Sequence, residues 1–182
     1  MRDLALHLLD IAENSAAAEA RTIRIEICED ISNDRFSMSI EDDGKGMTEE
    51  MVQKVTDPFV TSRTTRKVGL GIPLLKEAAE ACEGSLEITS ALGKGTRIFV
   101  DFKRNHIDRM PLGDVATTFL NLMIAHPEIH FVFRYTIGKE EFLLDDELIK
   151  EELQGISLTE PIVLGFLRNL IESGVRSVQP AA

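Results

Sequence analysis

The sequence predicts an α/β fold, a two-layer sandwich in which helices cover a mainly antiparallel mixed sheet, with a small α/β extension after it. Three observations predict it. "RTIRIEICED" and "RFSMSIEDD" alternate Ile23, Ile25, Ile27 and Phe36, Met38, Ile40 with polar residues, the period of two of half-buried strands. "IPLLKEAAEACEG" instead carries the apolar spacing of an amphipathic helix. The elements run helix, strand, strand, helix, loop, helix, strand, strand, an order suited to antiparallel pairs with helices on one face.

In chain order, "LLDIAENSAAAEA" opens as a helix with Leu8, Leu9, Ile11 and Ala12 to bury. The short, turn-rich "DISND" joins the first two strands as an antiparallel pair. Thr48, Glu49 and Glu50 suit the start of a short helix, with a hydroxyl cap and acidic residues at the positive dipole end. "DPFVTSRTTRKVGLG" has neither periodicity and reads as a long loop. In the helix after it Pro73 falls in the first turn, where its missing N–H has no partner to lose, and Gly84 marks the end. "SLEITSA" and "TRIFVDF" are strands flanking "LGKG". The chain divides near residue 104, giving units of 1–104 and 105–182. The second holds a helix around "VATTFLNLMIAHPE", two strands within "IHFVFRYTIGKEEFLLDD" turning at Gly138, and a final helix around "EPIVLGFLRNLIESG".

Composition excludes several classes of function. A formal charge of −11 over 182 residues opposes binding along a nucleic-acid backbone, which depends on basic surfaces. No apolar run reaches the roughly 20 residues that span a bilayer, and "MRDLALHLLDIAEN" turns acidic too early for a signal peptide, so a cytoplasmic location is expected. Cys28 and Cys82 lack metal-ligand spacing and read as small apolar groups rather than a disulfide. His7, His106, His126 and His130 read as packing or surface histidines.

Three glycine-bearing segments and one helix face carry the chemistry. Asp10 and Asn14 are four apart and so project from one face of the first helix. "EDDGKGM" sets Asp42 ahead of Gly44 and Gly46: a strand-to-helix turn, or a buried carboxylate able to accept from an exocyclic amine beside glycines that admit a flat ring. "KVGLGIPLL" places Gly69 and Gly71 at a helix entry, where free N–H groups and the helix dipole favour phosphate. Arg63, Arg66 and Lys67 stand just before it, the densest basic cluster of an acidic chain. "LGKGTRIFV" puts Gly93, Gly95 and Thr96 between two strands, which a hairpin turn alone would explain.

In this order, "DIAEN", "DDGKG", "GLGI" and "GKGT" resemble the ATP-binding boxes of the GHKL superfamily of DNA gyrase, heat-shock chaperone ATPases, sensor histidine kinases and mismatch-repair ATPases, over about residues 4 to 102. The resemblance implies ATP and Mg²⁺ as cofactors, with Asn14 as metal ligand and Asp10 as base. It implies that Asp42 recognises the adenine amino group, that Gly44 and Gly46 shape the ring pocket, and that Thr96 touches the adenine side through water. Gly69, Leu70 and Gly71 would donate backbone N–H groups to phosphate, and Arg63 and Lys67 would belong to an ATP lid. Only nine residues precede Asp10, so the helical segment that carries a sensor kinase's phospho-accepting histidine has no room here. The family's usual strand before the first helix is missing as well, so the sheet is shorter or another segment fills the place. Lys67 and Val68 replace a glycine common in the phosphate box, and Asp10 stands where ATPase branches generally have Glu.

Three functions fit. The first is an ATP-dependent kinase acting on a separate protein, similar to the anti-sigma-factor serine kinases. The second is a nucleotide-gated binding module whose residues 105–182 dock a partner. The third is a slow ATPase that times a homodimer cycle.

Overall fold

The computed structural model describes residues 3–56 and 71–179. The long loop and the basic cluster expected between 57 and 70 lie outside them. The described chain runs α1 (Leu4–Ala17), β1 (Thr22–Asp30), β2 (Arg35–Asp42), α2 (Glu49–Val55), α3 (Gly71–Ala81), β3 (Ser85–Ala91), β4 (Gly95–Lys103), α4 (Val115–Ala125), β5 (His130–Ile137), β6 (Glu140–Asp145), α5 (Asp146–Glu152) and α6 (Pro161–Val178). All six strands form one sheet in the order β3-β4-β2-β1-β5-β6. Its pairs are antiparallel except β1 with β5, which run parallel from Thr22↔His130 to Glu29↔Ile137.

The alternation read in the sequence is the alternation of the sheet's faces. Ile23, Ile25, Ile27, Phe36, Met38, Ile40, Phe131 and Phe133 are buried beneath the helices. The opposite face is polar and carries exposed ion pairs, among them Arg24–Glu41 at 3.9 Å and Arg134–Glu26 at 3.8 Å. Such exposed pairs add little stability, but they keep that face wet. Helices cover one face, as expected. Cys28 and Cys82 are both free, and Cys82 is buried.

The sheet does not stop where the sequence suggests a division. Strands β5 and β6, from beyond residue 104, extend it beside β1. The linker is fastened as well: Arg104 Nε donates to Glu29 Oε2 and Tyr135 Oη to Glu29 Oε1, each at 2.8 Å. Burial, with the Glu29 charge beside it, pushes the Tyr135 phenol well above its ordinary range, so it stays a donor. On the helix side, α4 sets Phe119 against Phe133, stacked at 4.8 Å between ring centroids, and edge-on to Phe131 at 6.1 Å. Strands and buried residues from both sides of residue 104 belong to one sheet and one core.

Helix α5 has no counterpart in the sequence reading. Asp145 ends β6 and caps the helix at once, its Oδ1 accepting from Glu147 N at 3.0 Å, so no breaker separates the two elements. With seven residues and only Asp146 buried, the helix shows no apolar stripe.

Because Phe119 is 1% exposed and joins the sheet to the helix layer, Phe119→Ala should cost about 3–5 kcal/mol. Chemical denaturation monitored at two wavelengths would measure it, and both halves of the chain should unfold together.

Candidate functional site

The site forms where α1, the end of β2 and the β3–β4 hairpin converge. Asp42 is the last residue of β2 and is only 9% exposed. Ser15 Oγ donates to its Oδ2 at 2.6 Å, and the N–H groups of Gly44 and Thr96 donate to Oδ1 at 3.0 and 3.2 Å. An ionised carboxylate has about four acceptor positions. Three are used, and the one left is on Oδ2.

The loop after Asp42 is pinned by its own backbone. Asp43 Oδ1 accepts from Arg21 N and Thr22 N at 2.7 and 2.8 Å. Burial raises the Asp43 carboxyl, but the N–H groups of Thr22 and Arg21, with the Thr22 hydroxyl and its own N–H, hold the group below the usual carboxylate range. Lys45 N donates to Ala18 O at 3.0 Å and Gly93 N to Lys45 O at 2.8 Å, which lays the loop across the end of α1 and the hairpin.

Two glycines are required here. A Cβ on Gly46, at φ +66°, would stand 2.0 Å from Ala91 O, and one on Gly95, at φ +88°, 1.8 Å from Asp42 O. The hairpin alone does not explain Gly95: what excludes a side chain there is the backbone of Asp42. Thr96 Oγ1 lies 2.8 Å from Ser90 Oγ, which also accepts from Met47 N at 2.8 Å.

Asp10 and Asn14 lie one turn apart on α1, both half-buried, along the helix edge that also carries His7. His7 is 2% exposed and sits beside Gly71, the buried first residue of α3, and α1 packs against α3, so this edge faces the start of α3. Asp10 Oδ2 is buried with no hydrogen-bond partner among the described residues. A buried carboxylate oxygen left unmatched is costly unless something occupies it. Asp10, Asn14, Asp42, Gly44, Gly46, Gly71 and Thr96 therefore gather about α1, whereas Arg63, Lys67, Gly69 and Leu70 lie outside the described residues.

Sequence reasoning missed Ser15, the residue that bonds Asp42 to α1. Its signal was available: Leu4, Leu8, Ile11 and Ser15 follow helical spacing, so Ser15 is a lone hydroxyl on an apolar stripe and needs a buried partner.

The second half of the chain holds this helix from both ends. Leu4 N and Ala5 N, which have no acceptor within α1, donate to Pro111 O and Leu112 O at 3.0 and 2.8 Å. Near the other end His126 Nε2 lies 3.0 Å from Glu13 Oε2. Elsewhere, His130, Asp145 and Asp146 bring possible ligand atoms within 4.8 Å of one another. Lys150 Nζ, 2.7 Å from Asp146 Oδ2, already neutralises the buried member of that group.

The family model described as histidine kinase-, DNA gyrase B-, and HSP90-like ATPase matches residues 1–106. The chain belongs to that family. The non-motile and phage-resistance protein of Caulobacter vibrioides is 30% identical over 111 residues, covering 56% of this chain and 13% of that protein. The sensor histidine kinase ZraS of Klebsiella oxytoca is 32% identical over 92 residues, covering 48% of this chain and 19% of that protein. The chain thus spans less than a fifth of either relative. Among solved structures, the Aquifex aeolicus MutL ATPase domain complexed with ADP superposes with a TM-score of 0.51 at 16% identity, over 85% of this chain and 70% of that one. At that identity the likeness concerns the fold: the mixed sheet under one layer of helices is the histidine kinase-like ATPase sandwich. Among the described residues no helix is long and apolar enough to cross a membrane.

Two outcomes follow from this geometry. Ser15→Ala removes a buried hydrogen bond to a charged group and should cost about 1.5–3 kcal/mol by urea titration. Burial lowers the His7 imidazole below its ordinary value, against the opposing Gly71 backbone and the charges of Asp10 and Asp3. The unfolded chain then binds the extra proton first. Stability from neutral His7 is therefore complete above about pH 6.5 and falls as the pH drops below it. Unfolding midpoints between pH 7.5 and 5.5 should show this slope, and His7→Gln should flatten it.

Proposed function

We propose that this chain binds ATP with Mg²⁺ and transfers the γ-phosphoryl group to a separate protein. The observation that carries the reading is Asp42, a nearly buried carboxylate positioned by three donors and keeping one acceptor position on Oδ2, which suits the exocyclic amine of adenine. The family membership and the ADP bound by the MutL domain support the same ligand class. Gly44 and Gly46 keep the loop flat against its neighbours so that a ring can approach the backbone, and Thr96 borders the same carboxylate.

The phosphates are assigned to the space between α1 and the start of α3. Free N–H groups and the positive end of the helix dipole favour anions there, with Gly71 leading and Gly69 and Leu70 as the preceding donors. Arg63 and Lys67 are proposed as the lid that covers them. The donors on α1 fit a hard cation, since Asn14 offers a carbonyl oxygen and the unmatched Asp10 Oδ2 stands one turn away. Mg²⁺, when bound there, would neutralise charge on the phosphates, with Asn14 holding it. Asp10 would take the proton from the acceptor hydroxyl as its oxygen bonds to the γ-phosphorus and the bond to the β-phosphate oxygen breaks, leaving ADP.

A second reading, a nucleotide-gated binding module, is favoured by the way residues beyond 104 grip α1. Any shift of α1 with nucleotide would act directly on Pro111, Leu112 and His126. Turnover separates the two readings.

Asp42→Asn keeps the side chain's size but can present an N–H where the ligand needs an acceptor, so calorimetry should find most ATP affinity gone, with circular dichroism checking that the variant still folds at the temperature used. Asp10→Asn should leave binding nearly intact and lower γ-phosphate turnover about a hundredfold. Asn14→Ala should damage Mg²⁺-dependent binding and turnover together. A wild type that binds ATP but neither hydrolyses nor transfers it would establish the gated module instead.

A further inference from the structure

Two buried polar atoms on α1, His7 Nδ1 and Asp10 Oδ2, lack hydrogen-bond partners among the described residues. Asp10 has a part in the proposed transfer. His7 has none, although it is only 2% exposed and a buried ring nitrogen left unpaired is costly. The two residues are three positions apart on one side of the helix, and helical side chains lean toward the N-terminus, so the Asp10 carboxylate leans toward the turn that carries His7. Helix α1 also orders the site along its length. Ser15 holds Asp42, the proposed adenine contact, near its C-terminal end; Asn14 and Asp10 follow, and His7 stands roughly 12 Å along the axis from Ser15. His7 therefore lies beyond the base, at the end away from adenine, where the acceptor must arrive.

The two unpaired atoms ask different things of a guest. A carboxylate only accepts, whereas a neutral imidazole carries one N–H and can place it on Nδ1. Burial lowers the His7 imidazole below its ordinary value, which keeps the ring neutral at neutral pH. One hydroxyl completes both: its proton points to Asp10 Oδ2, one lone pair accepts from His7 Nδ1, and the other is left for phosphorus. A carboxylate guest brings no proton for Asp10, and an imidazole guest has its N–H and its lone pair on different atoms.

We propose that His7 Nδ1 receives the acceptor jointly with Asp10, donating to the oxygen of the hydroxyl whose proton Asp10 takes. The role rests on the phosphoryl-transfer reading. In the step, a lone pair of that oxygen bonds to the γ-phosphorus, the O–H proton passes to Asp10 Oδ2, and the bond to the β-phosphate oxygen breaks with its electron pair leaving on ADP. The His7 N–H holds the attacking oxygen in place and is not consumed. Since it touches the acceptor and not the nucleotide, its loss falls on turnover and not on ATP affinity.

The test uses the full chain with Mg²⁺ and ATP, water serving as the acceptor. His7→Leu removes the N–H, whereas His7→Asn places an amide N–H close to the position of Nδ1. By calorimetry both should bind ATP as the wild type does; His7→Leu should lower turnover about tenfold, the size of one positioning hydrogen bond, and His7→Asn should restore most of it. His7→Leu/Asp10→Asn should be little slower than Asp10→Asn alone, because both side chains act on one hydroxyl. In the unsubstituted chain, nitrogen NMR of the labelled His7 ring should show a hydrogen-bonded Nδ1–H with Mg²⁺, ADP and aluminium fluoride, which holds a water in the attacking position, and lose it with Mg²⁺ and ADP alone. Circular dichroism checks the folding of the variants, and the NMR arm decides where His7→Leu does not fold. Full turnover in His7→Leu, equal losses in His7→Leu and His7→Asn, or ring nitrogens that do not respond to aluminium fluoride overturn this role and leave phosphoryl transfer standing. A wild type that binds ATP and never turns it over overturns the transfer and this role together.

Discussion

At the end of β2 one carboxylate holds the molecule's working corner together. Asp42 receives Ser15 from α1, Gly44 from the following loop and Thr96 from β4, so a helix, a turn and a neighbouring strand meet on two oxygen atoms. A buried charge is tolerated only when hydrogen bonds replace the water it loses. The geometry of the corner follows from that demand. The turn must pass close over the hairpin to bring the Gly44 N–H inward, which is why Gly46 and Gly95 touch backbone where any Cβ would collide.

The same corner depends on the opposite side of the sheet. Strand β1 pairs with β2 along one edge and with β5 along the other, so the strand that carries Asp42 and the strand that opens the second half are both aligned by it. Helix α1 lies above, its first N–H groups bonded to Pro111 and Leu112 and its Glu13 beside His126. The position of Asp10 and Asn14 is therefore set by chain more than ninety residues away, and residues 105–179 are a structural part of the site helix's surroundings.

Charge is distributed to match these roles. The open face of the sheet balances acids against bases, as in Arg24–Glu41 and Arg134–Glu26, and offers little net field. Around α5 the matching is closer still: Asp146, wholly buried, meets Lys150 at 2.7 Å, and Asp145 meets His130 at 2.8 Å.

Much of this was legible in the chain itself. The period-two runs around Ile25 and Met38, the Thr48 cap and the Gly138 turn are local signals, because strand alternation, capping and tight turns depend on near neighbours, and each element formed where those signals lay. The spacing of Asp10 with Asn14 and the placing of Asp42 before Gly44 likewise needed only helix geometry and turn chemistry. What the chain could not state is which distant segments meet. That β5 runs parallel beside β1, that Pro111 and Leu112 satisfy the start of α1, and that Gly95 must be glycine because Asp42 passes over it are long-range facts. Helix α5 escaped for a related reason: seven residues entered directly from a strand carry too little periodicity to be read, and packing against β5 gives it its place. Local sequence determined the elements and their chemistry; tertiary packing decided that strands from both ends of the chain share one sheet, because the edge of β1 away from β2 is paired by β5, chain from far along the sequence.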